Sequence, residues 1–105
     1  MSFKFYKNRI TGHPSISLSS KNKSFWFNMP VSHVRNGRCF EVENPNKNDL
    51  KKTYIRKYVR HDSFNAKLHR YDKYKLSEKN EFEIKKYLKN RYKKDDVKPN
   101  KWLSN

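Results

Sequence analysis

The chain is poor in several residue types, and each shortage excludes something. There is one cysteine, Cys39, among 105 residues. It cannot close an internal disulfide, and it rules out a multi-cysteine zinc site. Small secreted domains usually need such staples, so an intracellular, cytoplasmic protein is expected. No apolar run approaches the ~20 residues that span a bilayer. The opening Met1-Ser2-Phe3-Lys4-Phe5-Tyr6-Lys7 lacks the continuous apolar core of a secretory signal, so no membrane partner is expected. Glycine occurs only twice, too rarely for a flexible linker. Acidic residues are also few, 10 against 26 Lys and Arg, for a formal net charge of +16.

Such a charge with only 33% hydrophobic residues would suit a disordered chain, but disordered chains are poor in aromatics. Here 15% of residues are Phe, Tyr or Trp, which argues for a folded domain. The chain is long enough for one domain. It is read as a single basic domain over 1–92 and a tail over 93–105 that docks through Trp102. A compact body of this charge repels itself and is expected to meet a polyanion. Residues 1–44 carry a net +5 and residues 45–105 a net +11, so most of the electrostatic footprint lies in the second part.

Ile16 and Leu18 alternate with serines, which predicts a half-buried strand over 15–20. Lys21 to Ser24 has the length of a hairpin turn. Phe25, Phe27 and Met29 alternate with Trp26 and Asn28 as a second strand, which Pro30 should end or confine to an edge. Asn36-Gly37 signals a turn before a short strand, Arg38–Val42. Asn44-Pro45-Asn46 opens a polar loop to Lys52. Residues 53–60 read as one strand with two faces, Thr53/Ile55/Lys57/Val59 and Tyr54/Arg56/Tyr58/Arg60. Residues 61–75 read as a loop that could hold a single turn of helix.

Ser77 to Tyr92 is the clearest helix. Ser77 is a good N-cap, and Glu78, Glu81 and Glu83 suit the positive helix start. Ile84, Tyr87, Leu88 and Tyr92 form the apolar stripe. Short strands followed by one C-terminal helix predict an α+β fold, a small domain or an SH3-like barrel carrying a helix.

Three groups of residues could carry function. The face Tyr54/Arg56/Tyr58/Arg60 pairs guanidiniums, which bind phosphates, with stacking platforms for unpaired bases; the bland reading is a solvated strand face. Ser32 and His33 follow Pro30 at a strand-to-loop edge. His33 can serve as a general acid or base near neutral pH, and Arg35 and Arg38 could neutralise a phosphate. RNA cleavage needs a base, an acid and a cation, and its nucleophile is the substrate's own 2′-hydroxyl. His61 or His13 would supply the second acid–base group, although each taken alone reads first as a surface or turn histidine. No metal is expected and no cofactor is implied, since HExxH, paired His/Cys spacing and acidic clusters are all missing, with Glu41 and Glu43 the one neighbouring pair outside helix and tail.

The run Ile16 to His33, a strand, turn and strand leading into Pro30-Val31-Ser32-His33, resembles the first half of the ToxN/AbiQ endoribonuclease toxins. In that family the corresponding hairpin runs into Pro-Leu-Thr-Ser. The strand around Tyr54–Val59 sits where the family has another apolar barrel strand. The resemblance implies a PemK-like, SH3-like β-barrel decorated with helices and metal-independent RNA cleavage. It also implies restraint by an antitoxin RNA, or by a small acidic protein as in PemK-type relatives. By position Ser32 falls on the family's Thr and His33 on its Ser, both in the active-site motif. The chain is shorter than typical members, its hairpin turn is longer, and His33 replaces a hydroxyl residue.

Two functions are therefore expected. The first is a metal-independent endoribonuclease toxin acting on single-stranded RNA, with His33, Ser32 and His61 or His13 catalytic. Arg35, Arg38, Tyr54, Arg56, Tyr58 and Arg60 would hold the strand. The alternative is a non-catalytic RNA- or DNA-binding module using the same basic–aromatic surface.

Overall fold

The computed structural model describes residues 3–18, 25–63 and 67–91. Among these, seven antiparallel strands precede one helix: β1 Lys4–Asn8, β2 Pro14–Ser17, β3 Phe25–Ser32, β4 Cys39–Val42, β5 Thr53–Arg56, β6 Arg60–Ser63, β7 Leu68–Tyr71 and α1 Glu78–Arg91. The fold is α+β. The main strand order is β4-β5-β3-β2-β1-β7, with β6 also pairing with β3. No pairing closes the sheet into a barrel among the described residues. The turn at 21–24 and the tail with Trp102 lie outside the described residues.

β3 is the hinge of the architecture. On one side it pairs with β2. On the other, Phe25–Asn28 pair with β6 and Val31–Ser32 with β5. Pro30 falls between those two partners and does not end the strand. The Phe27 carbonyl accepts from Leu18 N–H on the β2 side. By alternation the Pro30 nitrogen faces the opposite side, at the seam where no ladder bond is required.

The expected single strand over 53–60 is broken by the same seam. Lys57–Val59 leave the sheet, and the chain returns as β6. Residues 61–75, expected as loop, supply most of β6 and all of β7; their sparse apolar content hid two short polar strands that pair through the backbone. β1 was likewise illegible as a strand among its lysines.

Paired residues sort the two faces. Phe5, Ile16 and Met29 lie side by side, and with Val31, Ile55, Ile84 and Leu88 they form the buried core beneath α1. The opposite face carries Tyr6, Ser15, Trp26 and Asn28, which are also buried. The reason is curvature. Ser63 and Leu68 are five residue steps apart, which reach at most about 17 Å. A flat β6-β3-β2-β1-β7 array would separate its edges by about 19 Å. The sheet must therefore curl, and its concave side shelters that second set.

α1 begins as its cap predicts. Ser77 Oγ accepts from Asn80 N–H at 3.1 Å. Asn80 Oδ1 in turn accepts from Glu43 N–H at 3.0 Å, joining the first turn to the end of β4. Glu81 accepts from Phe3 N–H at 3.0 Å. Ile84 and Leu88 are fully buried, Tyr87 is half-buried, and Phe82 faces solvent. No helix among the described residues is long and apolar enough to cross a membrane.

Candidate functional site

A cleft of about 330 Å³ opens at one end of the core face. Three loops bound it, and each is shaped by short polar side chains.

The first is the β1–β2 turn. Asn8 Oδ1 accepts from Ile10 N–H at 2.8 Å and from Thr11 N–H at 3.1 Å, an Asx turn. Asn8 O accepts from Gly12 N–H at 2.8 Å. Gly12 has φ +74°, in the left-handed region that glycine occupies without penalty. This turn presents His13. Pairing of Ser15 with Pro30, continued two steps, sets His13 beside Ser32, and both line the cleft. The His13 imidazole has no hydrogen-bond or ion-pair partner among the described residues.

The second is the end of β3. His33 is the next residue of the series Phe27, Met29, Val31 on the core face. Ser32 Oγ accepts from Val34 N–H at 3.0 Å, which turns the chain out of the strand.

The third is the loop 44–52. Asn44 Nδ2 donates to Asp49 O at 2.7 Å, Thr53 Oγ1 donates to Asn44 Oδ1 at 3.2 Å, and Asp49 N–H donates to Asn46 O at 3.0 Å. The folded-in loop brings Asp49 Oδ2 to 2.9 Å from His33 Nε2. His33 Nδ1 lies 3.0 Å from Lys52 O. Both ring nitrogens thus face acceptors, an arrangement that a doubly protonated imidazolium satisfies with two N–H donors. Lys7, on β1, completes the cleft with its ammonium 5.5 Å from the Tyr71 ring.

The structure therefore brings together Ser32, His33 and His13, and adds Lys7 and Asp49. It does not bring His61 there. His61 lies on β6 opposite Phe27 and stacks on that ring, centroids 4.6 Å apart. Phe27 is four residues from Val31, about 13 Å along β3.

The expected basic–aromatic face is not formed, because its residues lie on either side of the seam. Tyr54 is buried on β5, paired with Ser32 and Glu41. Arg56 Nη1 donates to Asn36 O at 3.1 Å. Tyr58 is exposed in the 57–59 link. Arg60 lies on β6, held by Asp62, Asn28 and Ser15. Arg35 and Arg38 are exposed in the loop after His33. Glu41 and Glu43 gather no third ligand; no group of three His, Cys, Asp or Glu suited to a metal occurs among the described residues.

Lys7 and Asp49 escaped sequence reasoning for a plain reason. Lys7 is one lysine among many, and only the β1–β2 register sets it at the cleft. Asp49 sits in a polar loop whose folding depends on contacts from Asn44 and Thr53. Comparison with family models, with curated proteins and with solved structures returned no match.

Proposed function

We propose that the protein is a metal-independent endoribonuclease that cleaves single-stranded RNA in the cleft formed by His13, Ser32, His33 and Lys7. The observation that carries this reading is the convergence of two histidines and a lysine on one cleft in a chain of net charge +16.

The chemistry follows from the groups. His13 takes the proton from the ribose 2′-hydroxyl. The 2′-oxygen forms a bond to phosphorus, and the bond from phosphorus to the 5′-oxygen breaks. His33 Nε2–H gives its proton to that leaving oxygen, which takes the place of Asp49 as acceptor. Nδ1–H stays on Lys52 O, so the neutral ring left behind is the tautomer already held. Lys7 faces the charge that builds on the phosphoryl oxygens. The Ser32 hydroxyl, whose oxygen accepts from Val34, keeps its own proton to donate to a phosphate oxygen. Arg35 and Arg38 lie on the loop leading away from His33, where a bound strand would continue.

The shared β3, the seam at Pro30 and the curled sheet support an SH3-like, PemK-like arrangement; a toxin role in the cytoplasm goes with the ToxN/AbiQ resemblance of the run Ile16 to His33. Ile10, Val34 and Leu50 are exposed aliphatic side chains, one on each loop bounding the cleft. With the surrounding positive charge they suit a small acidic protein antitoxin better than an RNA one.

The test is incubation of single-stranded RNA with the protein in EDTA. Expected products carry 2′,3′-cyclic phosphate and 5′-hydroxyl ends, and His13→Ala abolishes them. Intact RNA with salt-dependent binding would reject the enzyme and leave a nucleic-acid-binding module, for which each neutralised phosphate contributes ~0.7 to the log–log salt slope on single strands.

A further inference from the structure

We propose that the concave face of the sheet holds a second site, a subsite for one unpaired nucleobase of the strand whose phosphate lies in the cleft. This rests on the nuclease reading above. A cavity of about 440 Å³ lies on that face, walled by Tyr6, Trp26, Arg60 and Asp62 and sharing Thr11 and His13 with the cleft. The two sites therefore meet at the β1–β2 turn, on opposite sides of the sheet end. A nucleotide can straddle the turn with its phosphate at His13 and its base on the concave side.

The polar groups of this cavity are built for a neutral ligand with directional hydrogen bonds. Arg60 Nε lies 3.2 Å from Asp62 Oδ2, so the guanidinium charge is compensated and attracts a phosphate little. Its geometry is nonetheless fixed. Arg60 Nη2 donates to Ser15 Oγ and to Asn28 Oδ1, each at 3.2 Å. Asn28, fully buried, donates Nδ2–H to Asp62 Oδ2 at 2.9 Å. Among the described residues Arg60 Nη1 makes no hydrogen bond and neither does Asp62 Oδ1, which leaves one donor and one acceptor on the cavity wall. A nucleobase carries both acceptors and donors, so each of the two groups has something to read. Tyr6 and Trp26, edge to face at 5.4 Å between centroids, supply an apolar aromatic floor. Arg60 is thus a base reader, where the sequence suggested a backbone clamp.

The experiment titrates four uncleavable 2′-O-methyl trinucleotides, each of a single base, into the Trp102→Phe protein, reading Trp26 fluorescence. The expected result is at least a tenfold spread between the tightest and weakest base. Asp62→Asn, which turns the acceptor into an amide, should shrink that spread below threefold or change the favoured base. Leu68→Phe, which enlarges the side chain on the β7 wall of the cavity and adds no second tryptophan, should also shrink the discrimination, and it leaves the Arg60 network untouched if Asp62→Asn fails to fold. Equal binding of all four probes, no binding, or an unchanged spread in both variants overturns the subsite. RNA cleavage measured in parallel separates the two ideas. Cleavage without base discrimination sinks the subsite and keeps the nuclease; discrimination without cleavage does the reverse.

Discussion

Asp49 Oδ2 lies 2.9 Å from His33 Nε2, and fifteen residues of chain separate the two. The contact ties the end of β3 to the 44–52 loop and sets an acceptor at the second ring nitrogen, the first lying against Lys52 O. His33 side-chain exposure is 44% and that of Asp49 26%, so the pair is reachable from the cleft and screened by solvent. Its expected value is in positioning and proton state, with little effect on stability. Asp49→Asn should lower RNA cleavage about tenfold or more, within the range general acid catalysis contributes. The melting temperature should barely move. Asp49→Glu should restore part of the rate; equal rates for the Asn and Glu variants would remove Asp49 from the mechanism.

His13→Ala and Lys7→Ala should each reduce cleavage by about a hundredfold or more. His13 sits on an exposed turn, so its variant is expected to keep the wild-type far-ultraviolet circular dichroism. His61→Ala is the control. That ring stacks on Phe27 away from the cleft, and cleavage should stay within a few-fold of wild type. A His61 effect as large as that of His13 would show that the cleft is the wrong site.

Asn80 tests the link between helix and sheet. It is buried, takes Glu43 N–H and the Ser77 hydroxyl on Oδ1, and reaches Glu83 Oε1 with Nδ2 at 3.3 Å. Replacing it by Ala leaves the Glu43 amide and the cap without that partner. The expected cost is about 1–3 kcal/mol in urea unfolding. Asn80→Asp, which keeps the acceptor, should recover much of it.

Leu88→Ala should cost about 2–5 kcal/mol, because the side chain is fully buried between α1 and the sheet and leaves a cavity. Phe82→Ala, on the exposed side of the same helix, should change unfolding by no more than about 0.5 kcal/mol. Similar losses in both variants would mean that α1 presents a different face to the sheet.

Tyr6 predicts the alkaline limb of stability. Burial raises its phenol above the ordinary value of 10.0, opposed in part by the nearby Arg70 guanidinium, which itself pairs with Asp72. A raised folded value means that the unfolded chain loses this proton first. The contribution of Tyr6 is therefore fully present below pH 10 and is lost as pH rises through the folded value. Tyr6→Phe should flatten that part of the decline, measured as wild type minus variant across pH 9 to 12. A decline of the same slope in both proteins would show that other groups cause it.

The sequence by itself determined the helix, the β2–β3 alternation and the turn at Asn36-Gly37. These are local matters. Ser77 caps its own helix, Ile84 and Leu88 recur at helical spacing, and Gly37 at φ +69° answers a backbone need visible in one dipeptide. The tertiary structure decided everything that depends on partner choice. It broke 53–60 at the seam opposite Pro30, because β3 cannot face β5 and β6 at the same point. It drew β6 and β7 from polar residues, because backbone ladders need no apolar signal when the curl of the sheet does the burying. It dispersed the Arg/Tyr face for the same reason, since period 2 holds only within one continuous strand. And it placed Lys7, His13 and Asp49 around His33, through strand register and a loop pinned by Asn44, which residue spacing along the chain cannot express.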